Sequence, residues 1–232
     1  LALLVDVLGV HFDATAPSQM EQLIAAPINA AEVDRARALQ RLWREHRLSK
    51  VNPPVEAEAP QEPYVLVVDQ SAGDRSIALG LADASCFQRM LQAALADHPD
   101  CTVVLKVHPD VISGRARGHF KAQDLAHPRV RLSADGGHPA RLLERARAVY
   151  VVTSQMGFEA LLWGRPVHCF GMPFYGGWGL THDRCEAPLR RCQGASLEAL
   201  VHAALVGACR CIDPHRHQSC SIETLMGAIG LQ

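Results

Sequence analysis

Apolar positions along this chain fall into two patterns, short unbroken β-branched runs and stretches at helical spacing, and from residue 64 onward the two alternate. Residues 64–68, 102–107, 130–132, 149–152 and 167–170 are the runs, with sequences such as YVLVV and TVVLKV. Continuous apolar runs of this kind predict strands covered on both faces, as in a parallel sheet. Residues 76–97, 138–147 and a short segment starting at Ser154 read as the intervening helices, and 197–207 and 222–229 as closing helices. Ahead of this block, residues 1–27 read as a strand and turn, with a break at 15–17 before a short helix at 18–25. Residues 30–46 predict a longer helix, because Val33, Ala36, Leu39, Leu42 and Trp43 recur on one face. Residues 51–63 carry four prolines and three glutamates and predict an exposed, extended linker. The alternation implies an α/β fold with a Rossmann-like parallel sheet over residues 64–232.

Composition narrows the function classes. The 232 residues are 48% hydrophobic, enough for a sizeable core, and a net charge of −1 argues against a nucleic-acid partner. No apolar run approaches the roughly 18–20 residues that span a bilayer. The opening LALLVDVLGV lacks a basic flank and contains Asp6, so it does not resemble a signal peptide. The chain opens on Leu, which reads as upstream residues removed or left out. Eight cysteines are too sparse for a disulfide scaffold and fit a reducing, cytoplasmic setting. The tail gathers Cys209, Cys211, His215, His217 and Cys220, which leaves a structural zinc open. Without a Cys-x-x-Cys pair, local composition in a surface connection is the preferred reading, and no metal is assigned.

Parallel sheets place ligand-binding groups at the carboxyl ends of their strands. The first run ends in Asp69-Gln70-Ser71-Ala72-Gly73-Asp74-Arg75-Ser76, the second in Lys106-Val107-His108-Pro109, and the fourth in Thr153-Ser154-Gln155. Lys106 and His108, two apart on an extended strand, are expected on one face, where a cation and an imidazole suit a phosphate or carboxylate. At Thr153-Ser154 the free N–H groups of a helix start offer an anion site. Glu159 is too far from Ser154 for a capping box and could accept hydrogen bonds from a ribose diol; an exposed helix charge is the other reading. Four glycines and three aromatics share residues 171–181, so Tyr175 and Trp178 are expected near a base or sugar ring.

Lys106-Val107-His108-Pro109, the block TSQMGFEAL from Thr153 to Leu161 and the block GMPFYGGWGLT from Gly171 to Thr181 closely resemble the bacterial capsule polysaccharide biosynthesis proteins of KpsC/LipA type. Residues 12–18 and 70–76 are similar to the same family, so the resemblance covers nearly the whole chain. It implies a retaining β-Kdo transferase of GT-B architecture that uses CMP-Kdo to build the Kdo linker on a lyso-phosphatidylglycerol acceptor, with no cofactor. In that picture Lys106 and His108 face the donor's phosphate or carboxylate, Ser154 and Gln155 hold the phosphate, and Glu159 takes the ribose. Tyr175 and Trp178 shape the donor pocket, while Gln70, Asp74 and Ser76 line the cleft. Residues 1–50 become a remnant of an amino-terminal acceptor domain with its helix, 51–63 the linker and 64–232 the nucleotide-sugar-binding domain. The carboxylate acting on the anomeric carbon belongs upstream of this chain, so donor binding with little transfer is expected. The setting implied is cytoplasmic, peripheral at the inner membrane, beside capsule assembly proteins. Competing readings are a non-catalytic binding or assembly module in capsule polysaccharide export, a zinc-stabilised interaction domain, and a sugar-nucleotide epimerase.

Overall fold

The computed structural model describes residues 1–230. A short strand, β1 (Ala2–Leu4), leads to helices α1 (Gln19–Ala25) and α2 (Ala30–Glu45). Both helices begin on a capping box, in which Ser18 with Glu21 and Asn29 with Glu32 satisfy first-turn N–H groups reciprocally. The alternating block follows as β2 (Tyr64–Val68), α3 (Arg75–Leu79), α4 (Ser85–Asp97), β3 (Thr102–Lys106), α5 (Pro109–Ile112), α6 (Ala122–Leu125) and β4 (Val130–Ser133). It continues with α7 (Ala140–Arg145), β5 (Val149–Val151), α8 (Met156–Leu162), β6 (Val167–Cys169) and β7 (His182–Asp183). The chain closes through α9 (Leu197–His202), β8 (Cys209–Ile212), β9 (Ser219–Cys220) and α10 (Ile222–Gly230).

Six strands form one parallel sheet in the order β4-β3-β2-β5-β6-β7. The chain therefore builds outward from β2 to β4, then returns to lay β5 on the other side of β2. That reversal makes the carboxyl ends of β2 and β5 a topological switch point, the position where open α/β sheets bind ligands. Side chains alternate across the sheet. Leu66, Val68, Val104, Val149 and Val151 pack with α1, α2, α7, α8 and α9, whereas Val65, Val67, Val103, Leu105 and Tyr150 pack on Cys86, Phe87, Met90 and Leu91 of α4. Each such fully buried aliphatic side chain contributes about 1.5–3 kcal/mol. A second, antiparallel sheet joins the two ends of the chain in the order β1-β8-β9. Among the described residues no helix is long and apolar enough to cross a membrane.

Several expectations need correction. The helix expected over 76–97 is two helices, because Gly80 ends α3 and Leu81 turns into the left-handed region at φ 57°. A Cβ at Gly80 would stand 2.5 Å from Cγ2 of Thr153, so the break lets α3 press against the tip of β5. The segment 51–63 is mostly exposed and free of helix or strand, as expected, but it is anchored to the body of the protein at Val55–Ala57. Ala57 is buried and donates its N–H to the His138 carbonyl at 2.9 Å, and Glu56 pairs with Arg47 and Arg141. Helix α8 starts at Met156, two residues later than expected, and the helix expected over 197–207 widens into a π-turn after His202. The cysteine-rich tail is a strand pair instead of a surface connection: Cys209 and Cys211 are buried on one face of β8, with Cys211 opposite Cys220.

Candidate functional site

Gln70 organises the reversal point. It sits two residues past β2, buried, and its side-chain oxygen accepts the Thr153 N–H at 3.0 Å from beyond β5. Its amide nitrogen donates to Thr153 Oγ1 at 3.0 Å, and to Asp74 Oδ2 and Ser76 Oγ at 3.3 Å each. Ser76 Oγ lies 3.1 Å from Thr153 Oγ1, and Asp74 caps α3 by accepting the Ser76 N–H. Gln70 and Ser76 thus meet the tip of β5, with Asp74 held beside them by Gln70 and the Ser76 N–H. Thr153, which the sequence pattern offers only as a helix-start residue, proves to be the link between the two strands.

The tip of β3 joins the same rim through His108. Its Nδ1 accepts the Asp110 N–H at 3.1 Å and lies 3.3 Å from Ser71 Oγ, so the imidazole proton resides on Nε2. Ser71 adjoins Gln70, which places His108 and the Thr153-Ser154 corner along one edge. Lys106 takes a different course from the expected shared face. Strand β3 ends on it, and its buried Nζ donates to the Gly137 carbonyl at 3.3 Å, while His108 is exposed. Burial holds the Lys106 ammonium below its usual range, with Asp135 and Glu159 opposing that shift.

Glu159, on α8, is 1% exposed. Its oxygens accept the Ser49 hydroxyl at 2.7 Å and the Lys50 N–H at 3.2 Å, and burial pushes its carboxyl up to about 7 despite those donors. The turn carrying them is itself latched. Asn52 Oδ1 accepts the Ser49 N–H, Asn52 Nδ2 donates to the Ser49 carbonyl, and His138 Nε2 stands 3.0 Å from Asn52 Oδ1. Glu159 is therefore a covered carboxyl and not an exposed helix charge.

Ser154 and Gln155 form the half-buried corner where β5 passes into α8. The Ser154 Oγ accepts the Met156 N–H at 3.3 Å, and its carbonyl accepts the Tyr175 hydroxyl. Tyr175 and Trp178 are wholly buried, so they do not present rings to a ligand. They pack with Phe158 in the core behind the corner, and Trp178 Nε1 donates to the Phe174 carbonyl at 2.9 Å. The fit is close: a Cβ on Gly157 would stand 2.2 Å from the Tyr175 oxygen. Buried Arg191 fixes the glycine–aromatic loop from beneath, donating to the Pro173 carbonyl at 2.6 Å and the Gly176 carbonyl at 3.1 Å while its Nε bonds Glu21 at 2.6 Å. Nothing in the residue pattern marks Glu21, Arg191 or the Ser49–Asn52 turn as partners of this region.

A cavity of about 610 Å³ lies elsewhere, against edge strand β4, and Glu56, Glu58, Glu62 and Asp135 line it with Arg131. Acids in that excess disfavour a phosphate. Among the described residues no group of three or more His, Cys, Asp or Glu side chains is placed to hold a metal ion. In the tail, the Cys209 and Cys211 sulfurs lie 3.5 Å apart, and burial pushes the Cys211 thiol up to about 12, while His215 and His217 are exposed on the turn beyond.

Comparison with known proteins agrees with the α/β fold. The solved β-Kdo 2,4 transferase KpsC of Thermosulfurimonas dismutans superposes with a TM-score of 0.88 at 37% identity, covering 99% of this chain and 73% of that one. The β-Kdo 2,7 transferase KpsC of the same organism gives 0.77 at 27% identity, covering 99% and 71%. The capsule polysaccharide modification protein LipA of Neisseria meningitidis serogroup B is 42% identical over 188 residues, 77% of this chain and 27% of LipA. The lipopolysaccharide-processing protein LpsZ of Rhizobium meliloti is 36% identical over 214 residues, 89% of this chain and 48% of LpsZ. The chain thus spans about a quarter to a half of the length of these curated relatives. A sequence model of the family described as capsule polysaccharide biosynthesis protein matches residues 29–210, and the chain belongs to that family.

Proposed function

We propose that this chain is the donor-binding half of a GT-B glycosyltransferase, a retaining β-Kdo transferase that draws Kdo from CMP-Kdo for the capsule polysaccharide linker. The observation that carries the reading is the Gln70–Thr153 cross-link at the sheet's reversal point, with the His108 rim beside it. The names of the similar KpsC structures support the sugar.

Each group then has a task. The Nε2–H of His108 and the polar corner at Ser154 and Gln155 face the phosphate, whose charge grows as the bond to the anomeric carbon breaks and cytidine monophosphate departs. Preorganised donors aimed at that charge lower the barrier. Gln70, Asp74 and Ser76 line the cleft, and Lys106 supplies positive potential from below. Glu159 reaches the ribose diol once the Ser49–Asn52 turn shifts, because Ser49 and Lys50 now occupy both carboxyl oxygens. Tyr175 and Trp178 act from the core by fixing the Ser154 corner. The nucleophilic carboxylate and the site for the lyso-phosphatidylglycerol–Kdo acceptor belong to polypeptide outside this chain, at the cytoplasmic face of the inner membrane beside capsule assembly proteins.

Calorimetric titration with CMP tests the reading. Saturable binding is expected, weakened at least about tenfold in Gln70→Ala while the fold, read by circular dichroism, is retained. Absence of binding at millimolar CMP contradicts it.

A further inference from the structure

Strand β2 leads directly into Asp69, a carboxylate with a side chain only 2% exposed. Its Oδ1 accepts the N–H of Gln70 at 2.9 Å and the N–H of His119 at 3.2 Å. The His119 ring adds Nδ1, 3.2 Å from Asp69 Oδ1 and 3.0 Å from the Gln70 carbonyl oxygen. Both neighbours are acceptors, so Nδ1 carries a proton and donates to them. The ring lies flat on buried Phe87 of α4, centroids 3.7 Å apart and planes 1° from parallel, which removes its freedom to rotate away.

The adjoining residues are stitched to the same place. Arg117 offers its carbonyl to the Ala72 N–H at 2.7 Å. Gly118 passes so close that a Cβ would stand 2.3 Å from Asp69 Oδ2. At the start of this segment His108 meets Ser71. The stretch 108–119 is thus held at both ends to residues 69–72, and its far anchor grips the main chain on both sides of the Gln70 Cα. Replacing a buried acid–imidazole pair with apolar groups is often neutral for stability, so its value here lies in geometry.

We propose that His119 is a positioning residue for the nucleotide crevice: by clasping Asp69 and the Gln70 carbonyl, it sets the Gln70 side-chain amide between Thr153, Asp74 and Ser76 and holds the His108 rim closed. The inference rests on the donor-crevice reading and extends it to two groups, Asp69 and His119, that do not touch ligand.

The test uses the position of the donor. An Asn side chain can place its amide N–H near where imidazole Nδ1–H stands, whereas Gln places it near Nε2. CMP affinity is measured by calorimetry for wild type, His119→Asn, His119→Gln and His119→Ala, with the thermal midpoint of each and the Gln70 side-chain amide resonances. Affinity within about threefold of wild type is expected for Asn, and losses of at least about tenfold for Gln and Ala. The Gln70 amide signals should stay in place in Asn and move in Gln. Equal affinity in all variants, or losses that follow the thermal midpoint instead of donor position, overturns the proposal while CMP binding by wild type keeps the crevice reading. No binding by wild type overturns both. If His119→Ala fails to fold, the Asn and Gln pair alone decides, and equal loss in both counts against the proposal.

Discussion

Replacing Glu159 by Gln gives the most informative perturbation of the site. In the unfolded chain this carboxyl titrates near its ordinary 4.5; in the folded protein burial raises it to about 7. The folded state therefore holds the proton more tightly. The group's contribution is fully present below pH 4.5 and is lost as pH rises through 7, where the folded protein must carry a desolvated carboxylate. A shift of this size corresponds to about 3 kcal/mol at pH 8 and about 1 kcal/mol at pH 5.5, so about 2 kcal/mol of stability disappears across that interval. Gln at this position does not titrate. It keeps one acceptor for Ser49 or Lys50 and turns an NH2 toward the other, a mismatch costing about 1–3 kcal/mol at any pH. Glu159→Gln is thus expected to be less stable than wild type at pH 5.5 and to close most of that gap by pH 8. Urea denaturation of both proteins at the two pH values measures the difference. A stability difference that does not change with pH would refute the assignment of a covered, proton-binding carboxyl here.

Other positions give independent checks. Gly157→Ala forces a methyl against the Tyr175 hydroxyl and should cost about 1–3 kcal/mol and weaken CMP binding, and an unchanged thermal midpoint contradicts the close packing of the Ser154 corner. Arg191→Leu strips Glu21 of one buried partner and leaves the Pro173 and Gly176 carbonyls without their donor, for an expected loss of about 3–5 kcal/mol in urea denaturation; a loss under about 1 kcal/mol counts against the loop anchor. His168, stacked between Tyr150 and His182, is held down at about 4 by burial, so its contribution is present above pH 6.5 and lost as pH falls through 4. His168→Phe keeps the stack without the titration and should flatten the acid limb of a stability–pH curve, by up to about 1–2 kcal/mol after screening at the partly open ring.

Strands β2, β3 and β5 were legible because each is a short apolar run buried in the middle of the sheet, and all three appear within a residue or two of their expected ends, whereas the two-residue β7 has no apolar run to mark it. Their tips carry polar residues in sequence, so Gln70, Asp74, Ser76 and Ser154 could be picked out from position alone. Contacts across long separations were not legible. Ser49 covers Glu159 from 110 residues away, and His119 clasps Asp69 across 50. Local periodicity carries no information on which loop folds over which carboxylate. The glycine–aromatic loop misled for a related reason: rings beside glycines suit a ligand platform or a tight core equally, and only the approach of Gly157 to Tyr175 decides for the core. The proline-rich stretch at 51–63 reads as solvent-exposed and mostly is, but its composition does not reveal the backbone pairing of Val55 and Ala57 with His138 that anchors it. The broken helix after α3 follows from Gly80 pressing on Thr153, a tertiary contact that helical periodicity does not register.

A crystal structure of the chain soaked with CMP tests the central claim most directly. Phosphate density between the His108 imidazole and the Ser154-Gln155 corner, with the nucleoside lying over the Gln70–Thr153 link, is the predicted result. Nucleotide bound instead in the acid-lined cavity beside β4, or an empty crevice at saturating CMP, contradicts the account.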